Sequence, residues 1–292
     1  MGEPFPPRFP LRYHERIFLP VSRIFRPHPE RLLAFFLFLP LPTVPGYRTT
    51  GPPATMTSAI IVAAGSSRRM GFDKMFAKLA GKPVVWHSIK AFEDTKDISE
   101  IIIVARKERV PEFEALVKES RFKKVKEIVA GGVERHNSVW NGLQAVQSEG
   151  SEFVAIHDGA RPLTTPKLIH DCLEAAKSHS AACCASPIPD TVKRASMEQM
   201  VQESVERNGL WAMQTPQIFA SGLILQAYAA LISRNEMVTD EVSAVQKLGK
   251  RIFLLRNEDW NFKITFPHDI ELAEHVLALR AKKKTPRKLQ PA

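Results

Sequence analysis

From residue 56 onward the chain alternates between two hydrophobic rhythms. SAIIVAAG (58–65), SEIIIVAR (99–106), KVKEIVAGG (124–132), EFVAIHDGARP (152–162) and AACCASPIPD (181–190) are short and largely apolar, which predicts buried strands. Between them, PVVWHSIKAFED (83–94), PEFEALVKES (111–120), ERHNSVWNGLQAVQS (134–148) and TPKLIHDCLEAAKSHS (165–180) carry apolar residues at helical spacing, as at Val84, Ile89 and Phe92. Buried strands separated by 10–15-residue helices predict an α/β fold, a doubly wound, mostly parallel open sheet of Rossmann-like type covered on both faces. In such sheets ligands bind beyond the carboxyl ends of the strands.

After about residue 190 the rhythm breaks. The stretch 191–219, TVKRASMEQMVQESVERNGLWAMQTPQIF, has short alternating segments and polar turns, which predicts an excursion of antiparallel strands. Helices are expected over SGLILQAYAALIS (221–233), DEVSAVQKLG (240–249) and PHDIELAEHVLALRAKKK (267–284), and strands over RIFLLRNED (251–259) and NFKIT (261–265).

The first 55 residues differ in kind, with 12 of the 22 prolines and neither helical period nor strand alternation. Pro40 and Pro42 interrupt the apolar run RLLAFFLFLPLP (31–42), which falls short of a membrane span of roughly 20 residues. The segment reads as a disordered extension or as sequence upstream of a start at Met56. The domain is expected to run from 56 to 279, with an arm at about 190–210, followed by a basic tail at 280–292.

The net charge of +10 raises the question of nucleic acid, but its placement argues otherwise. The first 55 residues carry +4 and the tail +6, which leaves the body near neutral. The three cysteines, Cys172, Cys183 and Cys184, form no C-x-x-C pair. They predict a reduced, cytoplasmic setting with neither a disulfide framework nor a zinc site.

Chemistry gathers in the loop that leaves the first strand, AAGSSRRMGFDKMFAKLAGKP (63–83). Ala63, Ala64 and Gly65 are small enough for close approach of a ligand, and the amides of 64–67 could hold an anion. Arg68, Arg69 and Lys74 could neutralise a triphosphate. Neither G-x-x-x-x-G-K-[ST] nor G-x-G-x-x-G is present, so this is neither a P-loop nor a dinucleotide fingerprint. Taken alone, the loop reads equally well as a glycine turn with surface cations. Further loops at the same edge favour a site: AGGVERHNS (130–138), HDGARP (157–162), PDTVKR (189–194) and Lys263 in NFKIT.

These motifs, with ERNGLWAMQTPQIF (206–219) and TDEVSAV (239–245), make residues 56–279 resemble the 2-C-methyl-D-erythritol 4-phosphate cytidylyltransferases of the non-mevalonate isoprenoid pathway. Eight motifs occur in family order, and residues 1–55 have no counterpart. The resemblance implies a CTP-dependent nucleotidyltransferase that joins CMP to methylerythritol phosphate and releases pyrophosphate. Carried over by position, Arg69, Lys74 and Lys263 would be catalytic. Ala63, Ala64, Gly65, Gly132, Arg135, Ser138 and Asp158 would hold the nucleotide. Asp158, Arg161, Thr191, Arg207, Thr215, Thr239 and Lys263 would hold the acceptor, with Asp158 also binding magnesium. The family's arm crosses a homodimer, so Thr191 and Arg207 would serve the partner's site.

Departures from the family pattern are Val133 after the Gly-Gly, Met75 in place of a glutamine, and Ala77 and Lys78 in place of a Leu-acid pair. His136 and His157 attract notice as acid–base groups, but an ionised phosphate nucleophile needs no base. The nearest alternative is a cytidylyltransferase for ribitol 5-phosphate or a related polyol phosphate. More distant alternatives are an inactive nucleotide-binding protein and a nucleic-acid-binding module.

Overall fold

The structure is a computed structural model that describes residues 56–65, 70–147 and 150–284. Expectations for residues 1–55, Arg68, Arg69 and the tail beyond 284 lie outside the described residues.

The strand β1 (Thr57–Val62) is buried along its whole length. A small hairpin, β2 (Lys78–Leu79) and β3 (Lys82–Pro83), follows. Its two turn residues, Ala80 and Gly81, both have positive φ, 48° and 80°, as a type I′ turn requires. The chain continues through α1 (Val84–Asp94), β4 (Ile98–Ala105), α2 (Val110–Ser120), β5 (Val125–Ala130), α3 (Arg135–Ala145), β6 (Phe153–Asp158), α4 (Pro166–His179) and β7 (Ala181–Pro187). These elements match the alternating rhythm of the sequence.

Beyond β7 the chain forms a separate hairpin, β8 (Val192–Ala195) and β9 (Val201–Val205), then β10 (Trp211–Ala220). α5 (Ser221–Ser233), α6 (Glu241–Gln246), β11 (Phe253–Arg256) and α7 (His268–Lys284) complete the order. The seven-stranded sheet has the order β11-β7-β10-β6-β1-β4-β5.

One expectation is met and one needs correction. The 191–219 excursion forms antiparallel strands, and its end, β10, lies inside the main sheet between β6 and β7, antiparallel to both. The hairpin turns the chain around without a helical crossover, so β10 re-enters the sheet in the reverse direction. NFKIT is not a strand; residues 257–265 are irregular and lie on the loop after β6, with Ile264 N donating to Ala160 O at 2.8 Å.

Period-two alternation divides the core between the two faces. Ile61, Ile101 and Ile103 face a layer that includes Phe92, Phe113, Ile169 and Val276. Ile60, Ile102 and Val104 face Val139, Leu143, Ile224 and Tyr228. Ile102 and Ile103 are both fully buried, and each such side chain contributes about 1.5–3 kcal/mol. The register then sets the site: Val62 at the end of β1 pairs with Asp158 of β6 and Val104 of β4. Level strand ends bring the loops after β1, β4, β5 and β6 to one edge.

Candidate active site

A cleft of about 460 Å³ opens at that edge, lined by Ala64, Gly65, Lys74, Gly132, Arg135, Ser138, Asp158 and Lys263 among others. Ala63 does not line it, because its amide continues the sheet by donating to Val104 O at 2.7 Å. Lys74 is 8% exposed, and its amine donates to Ile264 O at 2.9 Å, which ties the first loop to the late irregular segment. Met75, the departure from the family glutamine, is buried and has Val85 N donating to its carbonyl at 3.1 Å. The other departure in the cleft wall, Val133, is 95% exposed.

The turn after β5 is built for close approach. A Cβ on Gly131 would lie 2.4 Å from Ala64 Cβ and 2.8 Å from Ser138 Oγ; one on Gly132 would lie 2.3 Å from Asn137 Cβ. Ser138 Oγ accepts from Gly132 N at 3.1 Å and donates to Glu134 O at 3.2 Å, so this hydroxyl braces the turn. Glu134 and Asn137 form a capping box at the start of α3, which sets Arg135 in the first helical position.

Asp158 is the electrostatic centre. Its Oδ1 is 3.3 Å from Arg135 Nη2, and its Oδ2 is 3.0 Å from Lys263 Nζ and 3.5 Å from Arg161 Nε. Burial alone would raise its pKa, but Arg135, Lys263 and Arg161 outweigh burial and hold the carboxyl well below the usual carboxylate range. Arg135 has a second partner: its Nη1 and Nη2 reach the two carboxylate oxygens of Glu241 at 2.5 and 3.0 Å. Burial works against the guanidinium charge, and Glu241 and Asp158 more than restore it. Glu241 is fully buried and also accepts from Tyr228 OH at 3.0 Å.

Behind Asp158 lies a closed polar chain. Asp158 N donates to Thr215 Oγ1 at 3.1 Å, and Thr215 Oγ1 is 2.9 Å from His157 Nδ1. His157 Nε2 is 3.2 Å from the carbonyl of Arg161, which can only accept. Nε2 therefore carries a proton, and since burial keeps the ring neutral the Thr215 hydroxyl donates to Nδ1. Burial pushes the imidazole down to about 3, with Asp158 the largest opposing influence.

The expected acceptor residues do not all converge. Asp158 and Lys263 are in the cleft, but the Thr215 hydroxyl is used within this chain. Arg161 is largely buried, and its guanidinium donates to Asn261 O at 2.8 Å and Met213 O at 3.3 Å. Thr239 lies at a second cavity, of about 540 Å³, with Asp240 and Ser243. Thr191 and Arg207 belong to the hairpin region, where Arg207 donates to Pro189 O. Arg69 is outside the described residues. Sequence reasoning missed Glu241, Tyr228 and Gly131. Glu241 stands inside the TDEVSAV motif, but only the fold shows its partner.

The sequence model for 2-C-methyl-D-erythritol 4-phosphate cytidylyltransferase matches residues 57–279. A curated protein of that name from Bacillus mycoides is 38% identical over 229 residues, covering 78% of this chain and all of its own length. One from Alkaliphilus oremlandii is 40% identical over 228 residues, covering 77% of this chain and 96% of its own. The crystal structure of a 4-diphosphocytidyl-2C-methyl-D-erythritol synthase from Anaerococcus prevotii is similar at a TM-score of 0.68 and 29% identity, covering 77% of this chain and 97% of that one. A cytidylyltransferase structure from Thermus thermophilus gives 0.64 and 28%, covering 76% and 98%. Matched along the whole domain, and carrying the cleft described above, the chain belongs to the 2-C-methyl-D-erythritol 4-phosphate cytidylyltransferase family.

Proposed function

We infer that this chain transfers CMP from CTP to 2-C-methyl-D-erythritol 4-phosphate, giving 4-diphosphocytidyl-2-C-methyl-D-erythritol and pyrophosphate. The observation that carries the reading is that Lys74 lines one cleft with Asp158, which pairs there with Arg135 and Lys263, beside the Gly-Gly turn. An acceptor phosphate oxygen attacks the α-phosphorus in line. The new O–P bond forms as the bond from the α-phosphorus to the pyrophosphate oxygen breaks. Two anions must meet, so the protein's task is alignment and charge stabilisation. Lys74 and Lys263 would flank the α-phosphate, and Arg69 would join them from the first loop. Arg135, already committed to Glu241 and Asp158, would hold the wall of the nucleotide pocket. Ala64, Gly65 and Gly132 would let the nucleotide approach the backbone.

Magnesium fits this donor set in one way. Among the described residues no group of three or more His, Cys, Asp or Glu could hold a metal. Asp158 and Glu134 are the acidic residues that line the cleft. A magnesium ion carried by the nucleotide needs only one or two protein carboxylates, and Asp158 stays ionised as a ligand must. It would neutralise charge on the phosphates when bound.

A homodimer completes the proposal. Among the described residues the β8–β9 hairpin pairs only with itself, and Met197, Met200 and Val201 on it are 97%, 69% and 68% exposed. An arm with so little core fits one covered by a second copy, which would carry Thr191 and Arg207 to the partner's site. No helix among the described residues is long and apolar enough to cross a membrane. The three cysteines are free and buried, which suits the reduced cytoplasm.

Pyrophosphate release from CTP, measured with methylerythritol phosphate and with ribitol 5-phosphate, tests the reaction. Release only with the ribitol ester would overturn the acceptor assignment. For the dimer, nearly inactive Lys74→Ala and Arg207→Ala chains are refolded together. If Arg207 serves the other subunit's site, activity returns to about one quarter of wild type. Mixed dimers no more active than their parents would place Arg207 in its own chain's site.

A further inference from the structure

The residue before Lys74 makes contacts that the reaction chemistry does not require. Asp73 Oδ2 is 2.8 Å from Arg106 Nη2 and 3.0 Å from Arg109 Nη2. Its Oδ1 accepts from Met75 N at 2.9 Å. Neither arginine lines the cleft. Both belong to a rigid part of the molecule. Arg106 directly follows β4, a strand paired on both sides, with β1 and β5, and Arg109 stands at the N-terminal end of α2. The arginines are themselves braced. Arg109 Nε is 2.5 Å from Glu112, and its guanidinium lies 4.6 Å from the centroid of Phe76. Phe76 in turn meets Phe113 of α2 edge-on, with ring centroids 4.9 Å apart.

Four consecutive residues thus go to four places. Asp73 turns to the arginine pair, Lys74 to the cleft, Met75 to the core and Phe76 to α2. We propose that the Arg106–Asp73–Arg109 latch is a positioning device that fixes the backbone on either side of Lys74 and so aims its amine into the cleft. The inference rests on the catalytic reading of Lys74 given above. The physical motive is that a cation stabilises a developing phosphate charge only if its position is set before the charge appears. Lys74 sits on a loop, and loops are less precise platforms than strands. The latch ties that loop to a strand end. The three side chains are 20–30% exposed, so salt screens the pairing only in part.

The test is Asp73→Asn, which keeps an oxygen for Met75 N and removes the charge. Two readouts are taken. One is the rate at which acetic anhydride acetylates Lys74, measured by mass spectrometry of protease digests and independent of turnover. The other is the split between kcat and KM in pyrophosphate release. The expected result is Lys74 acetylation at least about fivefold faster, kcat lowered about tenfold, and KM for the acceptor within about twofold. If Asp73→Asn fails to fold, the Arg106→Gln/Arg109→Gln double variant strips the latch from its other side, with the same expectations. Unchanged acetylation, or kcat within about twofold of wild type, would overturn the proposal. Lys74→Ala, assayed beside these, separates the two ideas: full turnover there removes the catalytic role of Lys74, whatever the latch does to its accessibility.

Discussion

His157 makes a quantitative prediction, because its ring is fully buried and both nitrogens are engaged as a neutral imidazole. Protonating Nδ1 would turn the acceptor of the Thr215 hydroxyl into a second donor and place a charge beside Arg161 and Lys263. The folded imidazole titrates near 3 and the unfolded one near 6.5. Between these values the unfolded chain binds a proton that the folded chain refuses, so stability falls as pH falls. From pH 7 to pH 5 the loss works out at about 2 kcal/mol, or roughly 4–8 °C in Tm for a domain of this size. Asp158 does not confuse this window. Its carboxyl is depressed, so the stability it contributes is complete above the ordinary carboxylate range and is lost only at lower pH. The assay is urea unfolding of wild type and His157→Asn at pH 7 and pH 5. Asn keeps a carbonyl oxygen for Thr215 but cannot take up a proton. The variant is expected to be less stable at pH 7 and to lose about 2 kcal/mol less than wild type on going to pH 5. Equal losses in the two proteins would refute the neutral, buried assignment.

Lys263→Ala should lower kcat by about 10²-fold or more with a smaller change in KM for CTP, since one stabilising contact to developing charge is worth about 3 kcal/mol; an effect confined to KM would remove it from the chemistry. Glu241→Gln keeps an acceptor for Arg135 but leaves Asp158 as its one carboxylate partner, and should cost up to about 3 kcal/mol, the lower end for breaking a buried pair, seen as a lower Tm and a weaker KM for CTP. Gly131→Ala puts a methyl 2.4 Å from Ala64 Cβ, so steady-state kinetics should show weakened CTP use, while Gly222→Ala, which meets no atom within 4 Å, serves as the control.

What could be read from the sequence follows from the kind of force involved. Strands that bury both faces must be apolar throughout, and the apolar runs at 58–62 and 101–105 announced β1 and β4 directly. NFKIT instead alternates, with Phe262 and Ile264 packed on the core, yet it is no strand. Its anchors are Ala160 O, Thr215 O and Gln214 Oε1, acceptors on a loop and a bent strand rather than on a ladder. Alternation reports which side of a segment is buried, not what buries it. The place of β10 was hidden for a related reason: the broken βα rhythm announced antiparallel strands, but not which two strands one of them enters between.

The site divides along the same line. Small residues and cations beside a strand end suggest an anion site locally, so Ala64, Gly65 and Lys74 stood out in their own loop, although that loop alone read equally well as a surface turn, and Gly132 came with the family resemblance. The partners that hold Arg135 and Asp158 in place could not be read there. Glu241 meets Arg135 across 106 positions, and Thr215 meets His157 across 58. In sequence Glu241 reads as an acidic residue in the first turn of α6, where a carboxylate is favourable without any partner. Thr215 reads as a hydroxyl waiting for a substrate, yet its oxygen already accepts from Asp158 N and donates to His157. A hydroxyl has one donor and two lone pairs, so with these two bonds made Thr215 can still accept from a substrate hydroxyl but can no longer donate to one. The structure therefore adds support of Asp158 to what Thr215 can do and leaves it only an acceptor's part toward a substrate, a distinction of partners that residue type alone does not carry.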